Sequence, residues 1–105
     1  MYDWLYRRIG DPSKDTEKFD AIAPGRHVDR IHASVFVAHD RTNPIDEARS
    51  HRLISDLERA RVPHEVAVIG DEVHGLGFLE HRVELYTAIE AYLARQLAAA
   101  PAAAP

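Results

Sequence analysis

The 105 residues carry 13 Lys and Arg against 17 Asp and Glu, a formal charge of -4 with seven neutral histidines, and 46% of them are hydrophobic. That describes one small domain with a modest core and excludes a large enzyme domain. A mildly acidic chain without a basic run is a poor ligand for phosphate backbones, and with no Cys it has no disulfide, thiolate metal site or thiol nucleophile.

No apolar run reaches the ~18 residues of a membrane span. Met1-Tyr2-Asp3-Trp4 lacks the basic start and apolar core of a signal peptide, so a cytoplasmic location is expected.

Tyr2 to Ile9 spaces Trp4, Leu5 and Ile9 as a helix that stops at Gly10, with Trp4 and Tyr6 as packing anchors. Asp11-Pro12 reads as an N-cap with Pro at the first helical position. It opens a second helix to about Ala21, burying Phe19 and Ile22 and broken by Ala23-Pro24-Gly25. Val35-Phe36-Val37-Ala38 is a continuous apolar run without alternation, which predicts a strand covered on both faces. From Asn43-Pro44 to Arg61, Leu53, Ile54, Leu57 and Ala60 share one stripe of a helix whose charged residues are solvated. Val62-Pro63 ends it, and Val66-Ala67-Val68-Ile69 is a second buried-type strand, closed by Gly70.

A strand, a helix of about four turns and a strand make a right-handed parallel βαβ unit. Beyond the loop Asp71 to Gly77, the residues Leu79, Val83, Tyr86, Glu90, Leu93 and Leu97 recur every three or four positions. They predict a long amphipathic helix to about Ala98, with that stripe inward. Residues 99–105 are only Ala and Pro and are expected to be a disordered tail.

In parallel α/β sheets, ligands sit beyond the carboxyl ends of the strands. Two polar segments occupy those ends: Ala38-His39-Asp40-Arg41-Thr42-Asn43, and Gly70-Asp71-Glu72-Val73-His74-Gly75. His74 fits a general base if an acid orients its ring; on spacing alone a solvated loop histidine is the plainer reading. His39, Asp40 and His74 are types that suit zinc or iron, but no two histidines stand at i,i+4. No metal or cofactor is expected. His27, His32, His51, His64 and His81 read as surface or capping residues, and Gly75-x-Gly77 is not a phosphate-cradling loop.

From about Tyr6 to Leu97 the chain resembles the C-terminal part of the catalytic domain of prolyl oligopeptidase-family serine peptidases, a branch of the α/β-hydrolases. The resemblance rests on strings in order: Ile9-Gly10-Asp11-Pro12, Ala23-Pro24 with His27-Val28-Asp29-Arg30-Ile31, and Val35-Phe36-Val37-Ala38-His39. Val62-Pro63-His64-Glu65, Asp71-Glu72-Val73-His74-Gly75 and Arg82-Val83-Glu84-Leu85-Tyr86 complete it. It implies a partial α/β-hydrolase of α-α-β-α-β-α order over residues 1–98, with His74 as general base. The family's triad acid falls on Asn43, which cannot carry charge, so Asp40 or Asp46 are the alternatives. Asp40 also stands where the family has Gly after its strand His, Val73 replaces a Gly, and Leu76 replaces the usual Phe.

The resemblance places Met1 beyond the family's nucleophile, and no G-x-S-x-G occurs around Ser13, Ser34, Ser50 or Ser55. The expectation is a peptidase segment inactive by itself, taking a peptide substrate only when completed by the missing part. The alternative is a non-catalytic module that self-associates or binds a complementary chain through exposed sheet edges. The weakest reading is an independent metal-binding or hydrolytic protein using His39, Asp40 and His74.

Overall fold

The computed structural model describes residues 3–71 and 76–98. Helices α1 (Asp3–Arg8) and α2 (Thr16–Ile22) lead through two single-turn 3-10 helices, at Pro24–Arg26 and Val28–Arg30, into strand β1 (Val35–His39). Helix α3 (Pro44–Arg59), strand β2 (His64–Val68) and helix α4 (Leu79–Ala98) follow. The chain is thus mixed α/β, with a two-stranded parallel sheet in which Val35 pairs with His64 and His39 with Val68.

The cap chemistry explains the boundaries of α3. Asn43 accepts hydrogen bonds from the Ile45 and Asp46 amides at 3.1 and 3.4 Å, and Pro44 supplies a preset φ at the first helical position. At the other end Arg61 takes φ 57°, and the Val62 amide returns to the Leu57 carbonyl at 2.9 Å. This is a Schellman stop, whose usual apolar contact is made here by Val62 with Leu57. Those two residues and Val37 form the central cluster, with Leu53, Ile54, Ala60, Val28, Ile31 and Val35 packed around it. The α3 stripe therefore packs as its spacing predicts.

Other expectations are corrected. Asp11 does not cap α2: it closes a turn by accepting from the Ser13 amide and hydroxyl, and the helix starts at Thr16, four residues beyond Pro12. Ile22 is 57% exposed, Phe19 only half-buried, and Trp4 and Tyr6 are exposed. The short α1 and α2 have too little sheet to lie against. The strands are not covered on both faces either. Helix α3 leans over β1, so Val66 and Val68 of β2 stay 44% and 40% exposed. On the opposite face Tyr92 of α4 stacks on Phe36 of β1 with ring centroids 5.1 Å apart.

The largest correction concerns α4. Its bounds agree with the periodicity, but the six-residue stripe points outward: Leu79, Val83, Tyr86, Leu93 and Leu97 are all exposed, as is Glu90. Leu85, Ala88, Ile89 and Tyr92 are the less exposed face. Both faces are apolar, so periodicity alone could not choose between them. The Ala/Pro tail and His74 lie outside the described residues. Among the described residues no helix is long and apolar enough to cross a membrane.

Candidate functional site

The parallel register brings the carboxyl ends of β1 and β2 side by side, with the Ile69 amide bonded to the His39 carbonyl at 2.9 Å. A cavity of about 380 Å³ opens there. Its polar wall is His39, Asp40, Asp46, Arg49 and Ser50, and its apolar wall is Ile69, Leu76 and Leu85. The volume and the mixture of an apolar floor with a few polar groups suit a small organic group or one side chain of a larger substrate. A larger cavity of about 620 Å³ lies away from the strand ends, between the 3-10 turns and α3. Its arginines 26, 49 and 59 pair with Asp20, Asp46 and Asp56, as expected of a solvated charged face.

His39 closes β1. Its Nδ1 lies 3.0 Å from the Asp40 carbonyl, so the ring donates there, and it meets His51 of α3 edge-on at 5.9 Å. Asp40 follows in a tight turn, where its Oδ1 accepts from the Thr42 amide at 2.6 Å and the Thr42 hydroxyl at 2.7 Å. Its other oxygen is turned toward β2: a β-carbon placed on Gly70 would lie 3.6 Å from it. Gly70 adopts φ +71°, a conformation that favours glycine, and so turns the chain sharply at the end of β2.

The three acid candidates are thus not equivalent. Asn43 is consumed by the helix: its Oδ1 caps α3 and its Nδ2 donates to Asp46 Oδ2 at 2.7 Å. Asp46 is engaged by that bond and by Arg49 at 3.8 Å. Asp40, bonded by Thr42 through Oδ1, lines the cavity and has its other oxygen toward Gly70 at the end of β2. His74 itself lies outside the described residues.

The fold also brings His81, Arg49 and Ser50 to this end of the sheet. His81, taken as a surface or capping residue, has a side chain only 19% exposed, with Nε2 3.5 Å from Asp71 Oδ1. Its Nδ1 would lie 3.2 Å from a β-carbon on Gly70, so His81 and Asp40 flank the same glycine. The first turn of α4 delivers it there, a placement set by tertiary packing and not by local spacing. Arg49 and Ser50 line the cavity from α3. Ser50 is a mid-helix hydroxyl, not one raised on a strand-to-helix turn. His27, by contrast, does cap: its Nε2 donates to the closing carbonyls of α2, Asp20 at 3.1 Å and Ala21 at 3.0 Å. Among the described residues, no group of three His, Asp or Glu side chains could hold a metal. No family model, curated protein or solved structure matches the chain.

Proposed function

We propose that this chain supplies the acid- and base-bearing part of a serine-hydrolase site of the peptidase type, in a sheet completed by strands from outside these residues. The observation that carries the reading is the cavity at the carboxyl ends of two parallel strands, lined by Asp40, whose carboxylate also approaches Gly70 at the end of β2. In this reading His74 removes the proton of a serine hydroxyl supplied by the completing part. The serine oxygen attacks the peptide carbonyl, and His74 returns the proton to the departing amine, leaving an acyl-enzyme. Water then repeats the exchange and frees the acid. Asp40 orients the imidazole and balances its charge, a task Asn43 cannot perform.

By itself the chain holds no G-x-S-x-G, so it is expected to stay unlabelled by a fluorophosphonate. The test joins residues 3–98 to the elbow-bearing portion of a prolyl oligopeptidase-type hydrolase and measures labelling and ester hydrolysis. The folded graft is expected to label at its elbow serine, and His74→Ala to slow the reaction by roughly 10³-fold or more. Stoichiometric labelling of the chain alone, or a folded graft indifferent to His74→Ala, overturns the reading.

A second reading is favoured by the open sides of the sheet. Each described strand has one paired and one open edge, and Val66 and Val68 face solvent. A non-catalytic module that adds strands from a complementary chain uses the same edges. A graft that folds without labelling, while the chain alone pairs with an added strand, favours it.

A further inference from the structure

The outward stripe of α4 is an unbroken heptad seam. Leu79, Val83, Tyr86, Glu90, Leu93 and Leu97 are spaced four, three, four, three, four, a spacing that a two-helix seam also uses, and here it faces away from the sheet. The opposite face is already spent on the sheet, where Tyr92 stacks on Phe36 and Arg95 forms an ion pair with Glu65. The seam is apolar apart from one residue, and its five apolar side chains are 47–73% exposed.

We propose that α4 pairs with α4 of a second copy as an antiparallel two-helix seam, independently of the catalytic reading. The sequence is self-complementary about a twofold axis at the level of Ala88. In that register Leu79 faces the second copy's Leu97, Val83 faces its Leu93, and Tyr86 faces its Glu90, each layer joining one a and one d position as antiparallel pairing requires. A groove of about 430 Å³ already runs along the helix between Leu79, Arg82, Val83, Tyr86, Thr87 and Glu90. Leu79, Arg82, Val83 and Tyr86 form the four-cornered hole into which the second copy's Leu93 fits.

Area supports this occupant, while charge limits it. Glu90 comes opposite the hydroxyls of Tyr86 and Thr87, which donate to it, but the two Glu90 carboxylates stand about 6 Å apart along the axis on either side of the twofold, and their repulsion keeps the pairing weak. The flanking Glu80 and Arg82 come opposite Ala94 and Gln96, so no like charges face each other there. Five partly exposed apolar side chains bury roughly 500 Å² on each copy, close to the ~1,000 Å² total that a specific association needs. The dimer is accordingly expected in the micromolar range.

Sedimentation equilibrium of the full chain is expected to show a monomer–dimer equilibrium. Leu93→Asp, which removes a solvent-facing side chain, is expected to weaken it at least tenfold with the helical circular dichroism unchanged. The chain has no cysteine, so register can be read directly. The double variant Val83→Cys/Leu93→Cys is expected to give a disulfide-linked dimer under mild oxidation. Neither single variant is expected to do so, because identical positions lie ~15 Å apart along the axis. A chain that stays monomeric well above micromolar concentration, a dimer indifferent to Leu93→Asp, or cross-linking by either single variant (the parallel arrangement) overturns the proposal.

Discussion

Asn43 donates its side-chain amide to Asp46 at 2.7 Å while its carbonyl oxygen caps the first turn of α3, in which Asp46 stands, so one residue ends the loop after β1 and starts α3. Asn43→Ala removes the cap and leaves the Ile45 and Asp46 amides without their acceptor. A loss of about 1 kcal/mol is expected, read as a lower urea midpoint with an unchanged slope. A midpoint equal to that of the parent chain would show that the cap is dispensable.

Leu57 has no exposed surface and stands at the meeting point of β1, α3 and the turn after it. Leu57→Ala is expected to cost roughly 2–5 kcal/mol through lost burial and a cavity. For a domain of this size that approaches the whole stability, so the expected result is loss of cooperative thermal unfolding in circular dichroism.

Arg61 stands at φ 57°, where a side chain is strained and glycine is not. Arg61→Gly is expected to stabilise by roughly 0.5–1 kcal/mol, because relief of the left-handed conformation outweighs the added freedom of the unfolded chain. A fall in melting temperature would refute this account of the α3 stop.

The Asp11 carboxyl is held below the usual carboxylate range, first by the Ser13 hydroxyl and then by the Ser13 amide. Both bonds favour the ionised form. Their contribution is therefore present above the unfolded-state pKa and is lost as pH falls through the lower folded-state value. Ser13→Ala is expected to move the Asp11 titration upward, as followed by NMR of its carboxyl carbon. A titration unchanged by the substitution would remove the hydroxyl as the cause.

Helix α3 was legible because independent signals coincide: Asn43 and Pro44 start it, the Leu53-Ile54-Leu57 stripe orients it, and Val62-Pro63 follows its end. Helix α4 was legible in extent but not in orientation, since it is apolar on two sides and only contact with Phe36 and Glu65 decides which side faces the sheet. The start of α2 was misread because Asp11-Pro12 suits a turn as well as a cap, and the Ser13 hydroxyl settles it as a turn. At the candidate site the two strand ends were readable from their polar residues. The engagement of Asn43 with Asp46, and of Asp40 with Thr42, was not, because these bonds depend on how the loop after β1 turns. The place of His81 against Gly70 depends on α4 returning to the end of β2, which no local pattern encodes.

The Leu57 cluster draws its members from the second 3-10 turn and the residue after it, β1, α3 and the turn after α3, and none from α4. Helix α4 can therefore lift away without emptying the cluster, giving the chain two tiers of local opening. Under hydrogen–deuterium exchange, amides of β1 and the second half of α3 are expected to persist longest while those of α4 exchange together and earlier. Any partner seated on the seam would show itself first as slowed exchange along α4, with the inner tier unchanged.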